Sequence, residues 1–340
     1  MTTALPSNTT ASAAQARVFT VTLNPAIDQT VRIPTLVPGA VHRALGQQIE
    51  AGGKGIGVAA VLSALGVPVT ASGWLGADND AVFTAAFAAS GIADAMVRVA
   101  GSTRTNIKLA DAERGDSTDI NLPGLALAPG ALAQAEADLL AALQQQVQYG
   151  DWCELAGSLP PGATHGVWER LARALAAQGA HIVIDTGGDV LRQLLQRLSD
   201  PAAGPAVPVA LVKPNRAELE ELAGRALPTL AEVAEAASGL CQRYGVRHAV
   251  VSLGGEGAVI ATPQGRWHAA APRVPVATTV GAGDALVAGT LAALARGGTF
   301  PGAAVFGMAC AAARIQRIAP GLPPRAEVEA IAAAIAPQPV

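Results

Sequence analysis

The chain has 340 residues, of which 51% are apolar and 14% charged, a composition typical of a folded globular protein. Its 23 basic and 26 acidic residues leave a net charge of −3, which argues against nucleic acid as a partner. No run of about 18 apolar residues is free of charge or glycine, so the sequence predicts no membrane span. The cysteines Cys153, Cys241 and Cys310 lie far apart, which indicates neither a zinc site nor a disulfide framework and favours a cytoplasmic location.

Residues 1–17 are rich in Ser, Thr and Ala and lack the apolar segment of a secretory signal. They contain one Arg and no acidic residue, a composition that also occurs in organellar transit peptides. We expect a disordered N-terminal tail here, with a transit peptide as the alternative.

The first predicted elements are a β-branched strand at 18–23, a helix at 54–65, a strand at 67–75 and a helix at 80–89. From residue 152 onward, short apolar strands such as Ile182-Val-Ile184 alternate with helices of ten or more residues. This alternation is typical of βαβ units, in which helices cover both faces of a parallel sheet. The sequence therefore predicts an α/β fold.

Polar strands interrupt this pattern in two places, at about 29–51 and 97–123. A strand that alternates polar and apolar residues has one wet face, so it cannot belong to a sheet buried on both sides. We expect these strands to form a small, mostly antiparallel sheet that projects from a core of residues 18–28, 52–96 and 124–336. The whole would be a single domain.

The strongest chemical signal is the segment Thr278-Thr-Val-Gly-Ala-Gly-Asp284, which directly precedes an apolar helix. Gly281, Ala282 and Gly283 let backbone N–H groups converge at the helix start, where the helix dipole adds positive potential. Such a nest can bind a developing anion, for example a transferring phosphoryl group. The Asp284 carboxylate is placed to take the proton of an acceptor hydroxyl; the alternative is that it only caps the helix.

Two further segments follow predicted strands, at the edge where α/β sheets bind ligands. In Lys213-Pro-Asn-Arg-Ala-Glu218, the carboxylate of Glu218 suits Mg²⁺ bound directly or through water, and the alternative is a capping box with Asn215. The segment Ser252-Leu-Gly-Gly-Glu-Gly257 is a glycine-rich turn that either approaches a nucleotide or closes a hairpin.

The segment Gly55–Ala60 matches the dinucleotide fingerprint G-x-G-x-x-A, but the residues before it, 41–50, are polar and do not form the buried strand which that motif needs. The segment is not a P-loop either, because Gly follows Lys54. It is instead a glycine-rich helix start that bears a lysine. The chain has only three lysines, Lys54, Lys108 and Lys213, and each lies in a motif, which suggests that a compact positive charge is needed there.

Together these motifs resemble those of the ribokinase-like sugar kinases, the PfkB family, from Val18 to about Ala336. The segments that carry the resemblance are Asn24-Pro-Ala-Ile-Asp28, Gly52-Gly-Lys-Gly55, Lys213-Pro-Asn215 with Glu218, and Val280-Gly-Ala-Gly-Asp284. The resemblance implies a three-layer α/β/α core with a mostly parallel sheet, a small β-sheet lid, and a homodimer formed through the lid. It also implies ATP as co-substrate and Mg²⁺ as cofactor.

Functional residues are implied motif by motif. Asp284 would be the catalytic base, beside the nest of Gly281, Ala282 and Gly283. The substrate-binding residues would be Asp28, Gly52, Gly53, Lys54, Arg104, Asn106, Lys108 and Ser158. The nucleotide-binding residues would be Lys213, Asn215, Ser252, Leu253, Gly254, Gly255, Glu256, Gly257 and Gly283, with Glu218 as the Mg²⁺ residue.

The closest similarity within the family is to kinases that phosphorylate fructose 1-phosphate at its C6 hydroxyl, giving fructose 1,6-bisphosphate. Kinases of tagatose 6-phosphate or fructose 6-phosphate are alternatives, because fructofuranose is nearly symmetric about the exchange of its two ends. A sugar-phosphate-binding protein without turnover is an alternative of another class, suggested by Gly57 where the family usually has Asn. The match at Gly55–Ala60 leaves a nicotinamide-dependent oxidoreductase as a third hypothesis.

Overall fold

The computed structural model describes residues 16–318 and 321–340. In chain order the strands are β1 Val18–Thr22, β2 Ala26–Ile33, β3 Gly46–Gly52, β4 Val69–Gly76, β5 Ala93–Val99, β6 Arg104–Asp111, β7 Ser117–Ile120, β8 Trp152–Ala156, β9 His181–Asp185, β10 Val209–Val212, β11 His248–Ser252, β12 Ala258–Thr262, β13 Gly265–Ala269 and β14 Gln338–Pro339. The helices are α1 Lys54–Ala64, α2 Ala81–Ser90, α3 Pro129–Gln146, α4 His165–Ala177, α5 Gly188–Ser199, α6 Arg216–Ala223, α7 Leu230–Tyr244, α8 Ala282–Ala295, α9 Gly302–Ile315 and α10 Arg325–Ala333.

The described residues form a ten-stranded main sheet in the order β14-β13-β12-β11-β10-β9-β8-β1-β4-β5. The strands from β5 to β11 are parallel to one another. The three strands at the other end, β12, β13 and β14, pair antiparallel. The predicted α/β fold with a mostly parallel sheet is therefore confirmed.

Helices cover both faces of this sheet, as the apolar strands require. Along β1 the side chains alternate between two cores: Phe19 and Val21 belong to one, Val18 to the other. Helices α3 to α7 pack on the first core, which contains Leu139 and Leu171. Helices α1, α2, α8, α9 and α10 pack on the second. The result is the three-layer α/β/α core that the family resemblance implied.

The polar strands form a separate four-stranded sheet, β3-β2-β6-β7, which we call the lid sheet. Its pairs β2–β3 and β6–β7 are antiparallel, and β2–β6 is parallel. The register divides it into two faces. One face is largely apolar and carries Ile27, Val31, Ile49, Ile107, Leu109 and Ile120. The other face is polar and carries Asp28, Thr30, Gln48, Glu50, Arg104, Asn106, Lys108 and Asp119.

The boundaries of the lid sheet differ from those expected. Its first segment runs from Ala26 to Gly52, because Asn24-Pro25 ends β1 and the chain pairs with β3 and β6 immediately afterwards. Residues 97–99 belong to β5 of the main sheet instead. Because β5 is an edge strand with a partly exposed side, its sequence resembles that of a lid strand.

The predicted tail is contradicted at its last two residues. Ala16 packs against the second core, and the Arg17 Nη2 atom lies 2.6 Å from the Asp151 carboxylate. The rest of that prediction, residues 1–15, lies outside the described residues. Within residues 16–318 and 321–340, no helix is both long enough and apolar enough to cross a membrane.

Candidate active site

The predicted motifs meet at one edge of the main sheet, because parallel strands end on the same side. Asn24–Asp28 follows β1, and Gly157 and Ser158 follow β8. Lys213–Asn215 follows β10, and Ser252–Gly257 begins at the last residue of β11. The glycine-rich starts of α1 and α8 lie at this edge too, as the contacts of their side chains show.

Asp185, the last residue of β9, joins two of the three lysines. Its Oδ1 atom lies 3.2 Å from Lys54 Nζ and 3.5 Å from Lys213 Nζ. Burial disfavours the charge on Lys54, but Asp185 and the other nearby carboxylates outweigh that effect and raise the pKa of Lys54. Asp185 belongs to no motif and was not predicted from the sequence, although its place at the carboxyl end of an apolar strand was a usable signal.

Asp284 lies in the first turn of α8, and the preceding nest residue Gly281 is the N-cap of the helix. Gly281 adopts a φ of 79°, in the left-handed region that favours glycine, and it has no side chain to cap with. Burial and the Asp185 carboxylate raise the pKa of Asp284 to about 7, while Lys54 and Lys213 oppose that rise. A carboxyl group with a pKa near neutrality suits general-base chemistry.

Gly57 and Asp284 are in close contact. A Cβ atom added at Gly57 would collide with the Asp284 carboxylate. Gly57 lies in α1 with ordinary helical geometry, so the space it leaves, and not its backbone freedom, is what matters here. The unusual Gly at this position therefore makes room for the side chain of the predicted base.

The lid sheet brings its polar face to the same region. Asn106 Nδ2 donates to Asp28 Oδ1 over 3.1 Å, and Lys108 Nζ lies 3.7 Å from Asp119 Oδ1. Burial raises the pKa of Asp28, against the opposing effects of Asn106, Lys108 and Arg104. Asp28 and Asp284 line one cleft of about 680 Å³, together with Glu50, Gly57 and Arg314.

Arg104 has a structural role in addition to any contact with substrate. Its Nε, Nη1 and Nη2 atoms donate to the backbone carbonyl oxygens of Pro25, Leu122 and Asn24, at 3.3, 2.9 and 3.2 Å. Asn24 Nδ2 in turn donates to Ser158 Oγ over 3.0 Å. Arg104 thus ties the lid sheet to the loop after β1, whose motif also reaches Ser158.

A second cleft, of about 870 Å³, is lined by Lys54, Ser158, Pro160, Thr186 and Gly187, among others. Lys54 lines this cleft at the carboxyl ends of the strands, where it pairs with Asp185. Lys213 lies beside the nest, because a Cβ atom at Gly283 would be 3.7 Å from Lys213 Nζ.

The two predicted nucleotide segments are in contact. The backbone N–H of Ser252 donates to the Pro214 carbonyl over 3.0 Å, and Arg216 pairs with Glu256 at 3.0 Å. Ser252–Gly257 connects the antiparallel strands β11 and β12, so its hairpin interpretation is correct for the backbone. Leu253, Gly254, Gly255 and Gly257 lie in the same turn.

The capping box predicted as the alternative role of Glu218 is present in the structure. Glu218 N–H donates to Asn215 Oδ1 over 2.9 Å, and Asn215 N–H donates to Glu218 Oε2 over 2.8 Å, which is a complete capping box. The other oxygen, Oε1, faces Gly187, where an added Cβ atom would lie 2.5 Å away. Capping therefore occupies one oxygen of Glu218.

The comparisons with known proteins decide the family. A model of the pfkB family of carbohydrate kinases matches residues 21–326. The chain belongs to this family. It is 46% identical over 278 residues to a 1-phosphofructokinase of Xanthomonas campestris, which covers 82% of this chain and 84% of that protein. It is 40% identical to a 1-phosphofructokinase of Rhodobacter capsulatus, over 93% of this chain and 96% of that one.

Solved structures agree. The structure of phosphofructokinase-2 from Escherichia coli in complex with fructose-6-phosphate superposes with a TM-score of 0.82 at 28% identity, over 94% of this chain and 99% of that one. The protein is thus a PfkB carbohydrate kinase, a phosphotransferase similar to 1-phosphofructokinases, and kinases of this family use ATP. The oxidoreductase hypothesis is wrong: the segment Gly55–Ala60 begins a helix that follows the largely exposed strand β3.

Proposed function

We propose that this kinase transfers the γ-phosphoryl group of ATP to the C6 hydroxyl of D-fructose 1-phosphate, giving fructose 1,6-bisphosphate and ADP. The observation that carries the proposal is Asp284, a partly buried carboxyl group with a pKa of about 7 beside a glycine nest and two lysines. The 1-phosphofructokinase relatives support the choice of substrate.

In this mechanism Asp284 takes the proton of the C6 hydroxyl as the new O–P bond forms and the bond from the γ-phosphorus to the bridging oxygen of ADP breaks. Backbone N–H groups at Gly281, Ala282 and Gly283 face the charge that develops on the phosphoryl oxygens. Lys54 and Lys213 add positive charge there, held in place by Asp185. The lid sheet shields the reacting groups from water, which would otherwise hydrolyse ATP.

Mg²⁺ bound with ATP would neutralise phosphate charge, and Glu218 is the residue proposed to hold it. Mg²⁺ in such sites is usually bound by one or two carboxylates, substrate phosphates and water. The described part of the chain has no group of three or more His, Cys, Asp or Glu side chains suited to a metal. A single carboxylate oxygen of Glu218, the one that faces Gly187, fits this kind of site.

The substitution Glu218→Gln tests this role, because Gln can still complete a capping box. We expect the Mg²⁺ concentration for half-maximal activity to rise about tenfold, with the KM for the sugar phosphate little changed, since one ligand to Mg²⁺ is lost. The measurement is a Mg²⁺ titration of activity for Glu218→Gln and for Glu221→Gln, a control on the same helix. A titration equal to that of the wild type would leave Glu218 with its capping role alone.

We also propose that the polar face of the lid sheet binds the phosphate which the substrate already carries. A dianionic phosphate under a closed lid needs charged donors, each worth about 1.5–3 kcal/mol. The substitution Arg104→Ala should therefore raise the KM for the sugar phosphate about 10- to 100-fold, with little change in the KM for ATP. Arg32→Ala is the control, because Arg32 is an exposed arginine at the far end of the same face.

Arg104 also binds three backbone carbonyls, so general damage to the site would appear as an equal rise in both KM values. That result contradicts the phosphate role. So does an unchanged sugar-phosphate KM in both Arg104→Ala and Lys108→Ala.

We further propose that the apolar face of the lid sheet forms a homodimer interface. Ile49 and Ile120 on this face are 48% and 45% exposed in the single chain, which a second copy of the same face would cover. We expect wild type to sediment as a dimer and Ile49→Lys to sediment as a monomer. Gln48→Lys, one residue away on the polar face, should stay dimeric. A wild-type monomer at micromolar concentration contradicts the proposal.

A cytoplasmic location remains our proposal for where this activity takes place. The three cysteines are free thiols among the described residues. Burial raises the pKa of the Cys241 thiol to about 11 and that of Cys310 to about 12, so neither is a reactive thiolate. Free, unreactive thiols fit a reducing compartment.

The choice of substrate is tested by a coupled assay with fructose 1-phosphate, fructose 6-phosphate and tagatose 6-phosphate. We expect the highest kcat/KM with fructose 1-phosphate. A higher value with either 6-phosphate would assign the protein to another activity of the same family, and binding of all three without ADP release would make it a non-catalytic binding protein.

A further inference from the structure

Glu154 is a carboxyl group buried in the middle of the main sheet. It lies in β8, between β1 and β9, and its side chain is 0% exposed. Among the described residues neither of its carboxylate oxygens has a hydrogen-bond partner. A charged carboxylate in such surroundings would be very costly, so burial favours the neutral acid.

Other buried oxygens without a described partner lie on the same face of the sheet. Thr20 is the register partner of Glu154 on β1, and its Oγ1 atom is one of them. The others are Thr22 Oγ1, two residues further along β1, and Asp185 Oδ2 on β9. A neutral carboxylic acid can donate one proton and accept at its other oxygen, so it matches hydroxyl neighbours such as these.

This polar cluster lies directly beneath the start of α1. A Cβ atom at Gly55 would be 2.5 Å from Thr22 Oγ1 and 3.4 Å from the side chain of Ala156, which shares a strand face with Glu154. The residue before Gly55 is Lys54, whose ammonium pairs with Asp185. Glu154 therefore lies within the sheet, beneath the charged groups of the proposed active site.

Charged groups of both signs act on Glu154 from the surrounding elements: Lys54 from α1, Asp185 from β9, Lys213 after β10, and Asp284 from α8. Burial, Asp185 and Asp284 together raise the pKa of Glu154 well above its usual value, against the two lysines. The negative charge of the cluster therefore depends on whether Glu154 holds its proton.

We propose that Glu154 is a positioning residue that works in its protonated form, so that Asp185 pairs with Lys54 and Lys213 without competition from a second anion beneath them. This inference rests on the proposed function. With Glu154 neutral, the charges of Lys54 and Lys213 balance those of Asp185 and of the deprotonated base Asp284, so the cluster presents no net negative charge to the phosphoryl group. An ionised Glu154 would add a net negative charge and repel the carboxylate of Asp284.

The first experiment measures protonation without any substrate. Glu154 becomes solvated and ionises when the chain unfolds. At pH values above the ordinary pKa of a glutamate side chain, the native state therefore holds one proton more than the unfolded state. Wild-type stability must then fall with rising pH relative to Glu154→Gln, which cannot ionise. We expect the ratio of their unfolding constants to change by about tenfold per pH unit between pH 5 and 7, in denaturant titrations.

The control for this experiment is Glu235→Gln, an exposed glutamate on α7, because its carboxyl group is solvated before and after unfolding. Its stability difference from wild type should stay constant with pH. A constant difference for Glu154→Gln as well would mean that native Glu154 is ionised, and this would overturn the proposal. Because no substrate is used, the result does not depend on the proposed activity.

The second experiment tests the link to phosphate binding. In wild type, ionisation of Glu154 at alkaline pH should raise the KM for ATP, and Glu154→Gln should move that rise to higher pH. A purely structural role would not shift a pH profile. The same rise of the KM for ATP at alkaline pH in both proteins would overturn the proposal. A loss of more than about 10²-fold in the kcat of Glu154→Gln would also overturn it, because it would mean that the charged form is the working one.

Discussion

Replacing Asp284 with asparagine is expected to lower kcat by about 10²–10⁴, the usual contribution of a positioned general base. Asparagine has nearly the same shape but cannot take the proton of the acceptor hydroxyl. Because asparagine keeps the shape of the side chain and the nest is formed by backbone groups, folding and the binding of an ATP analogue should persist. Steady-state kinetics, together with thermal unfolding and calorimetric titration of the analogue, measure these effects separately.

The role of Asp284 as a base also predicts the direction in which activity changes with pH. Asp284 must be deprotonated to act as a base, and its pKa is raised to about 7. For wild type, kcat/KM should therefore increase with pH through about 7 and then level off, while the residual activity of Asp284→Asn lacks this limb. Turnover close to that of wild type in the Asn variant would contradict the assignment and leave Asp284 as a structural residue of α8.

Gly57→Ala is the second substitution with a large expected effect. The new methyl group would occupy the place of the Asp284 carboxylate, so the base must move. A displacement of about 1 Å in an active site can cost about 10²-fold, and we expect a loss of kcat of that order. Gly to Ala inside a helix favours folding by about 1 kcal/mol, which offsets much of the cost of displacing the Asp284 side chain, so the loss of activity should come with little loss of stability.

Ala60→Ser is the matched control for Gly57→Ala. It adds one atom to the same helix, one turn further on, at a position that lines the same cleft but is exposed. Its kcat should be close to that of wild type. Gly57→Ala with wild-type kcat and thermal stability would mean that Asp284 does not depend on the space left by Gly57. The variant Gly57→Asn then reports how this chain tolerates the residue usual in its family.

Much of this fold could be predicted from the sequence, because its signals are local. Apolar runs such as Ile182-Val-Ile184 predict buried parallel strands, and polar alternation predicts a separate sheet with one wet face. Glycine, proline and asparagine mark the loops after those strands, so the sequence alone is enough to place the main motifs at the carboxyl ends of strands. The capping box of Asn215 and Glu218 was also readable, because it depends on a spacing of three residues.

The residues that the sequence did not reveal owe their roles to neighbours distant in the chain. Asp185 and Glu154 lie in apolar strands without a motif, and only strand order places them beneath Lys54 and beside Lys213. The pairing of Lys108 with Asp119 likewise depends on the register of β6 and β7. Residues 97–99 of β5 were mistaken for part of the lid because an edge strand and a lid strand are both partly exposed.

The most direct test of the central claim is identification of the product by ³¹P NMR. Purified enzyme is incubated with ATP, Mg²⁺ and fructose 1-phosphate, and Asp284→Asn serves as the control. We predict that ADP and a second phosphomonoester, on C6 of the sugar, appear in equal amounts with wild type, and that the variant forms both much more slowly. ADP that accumulates without fructose 1,6-bisphosphate, or equal rates for the two proteins, would contradict the account.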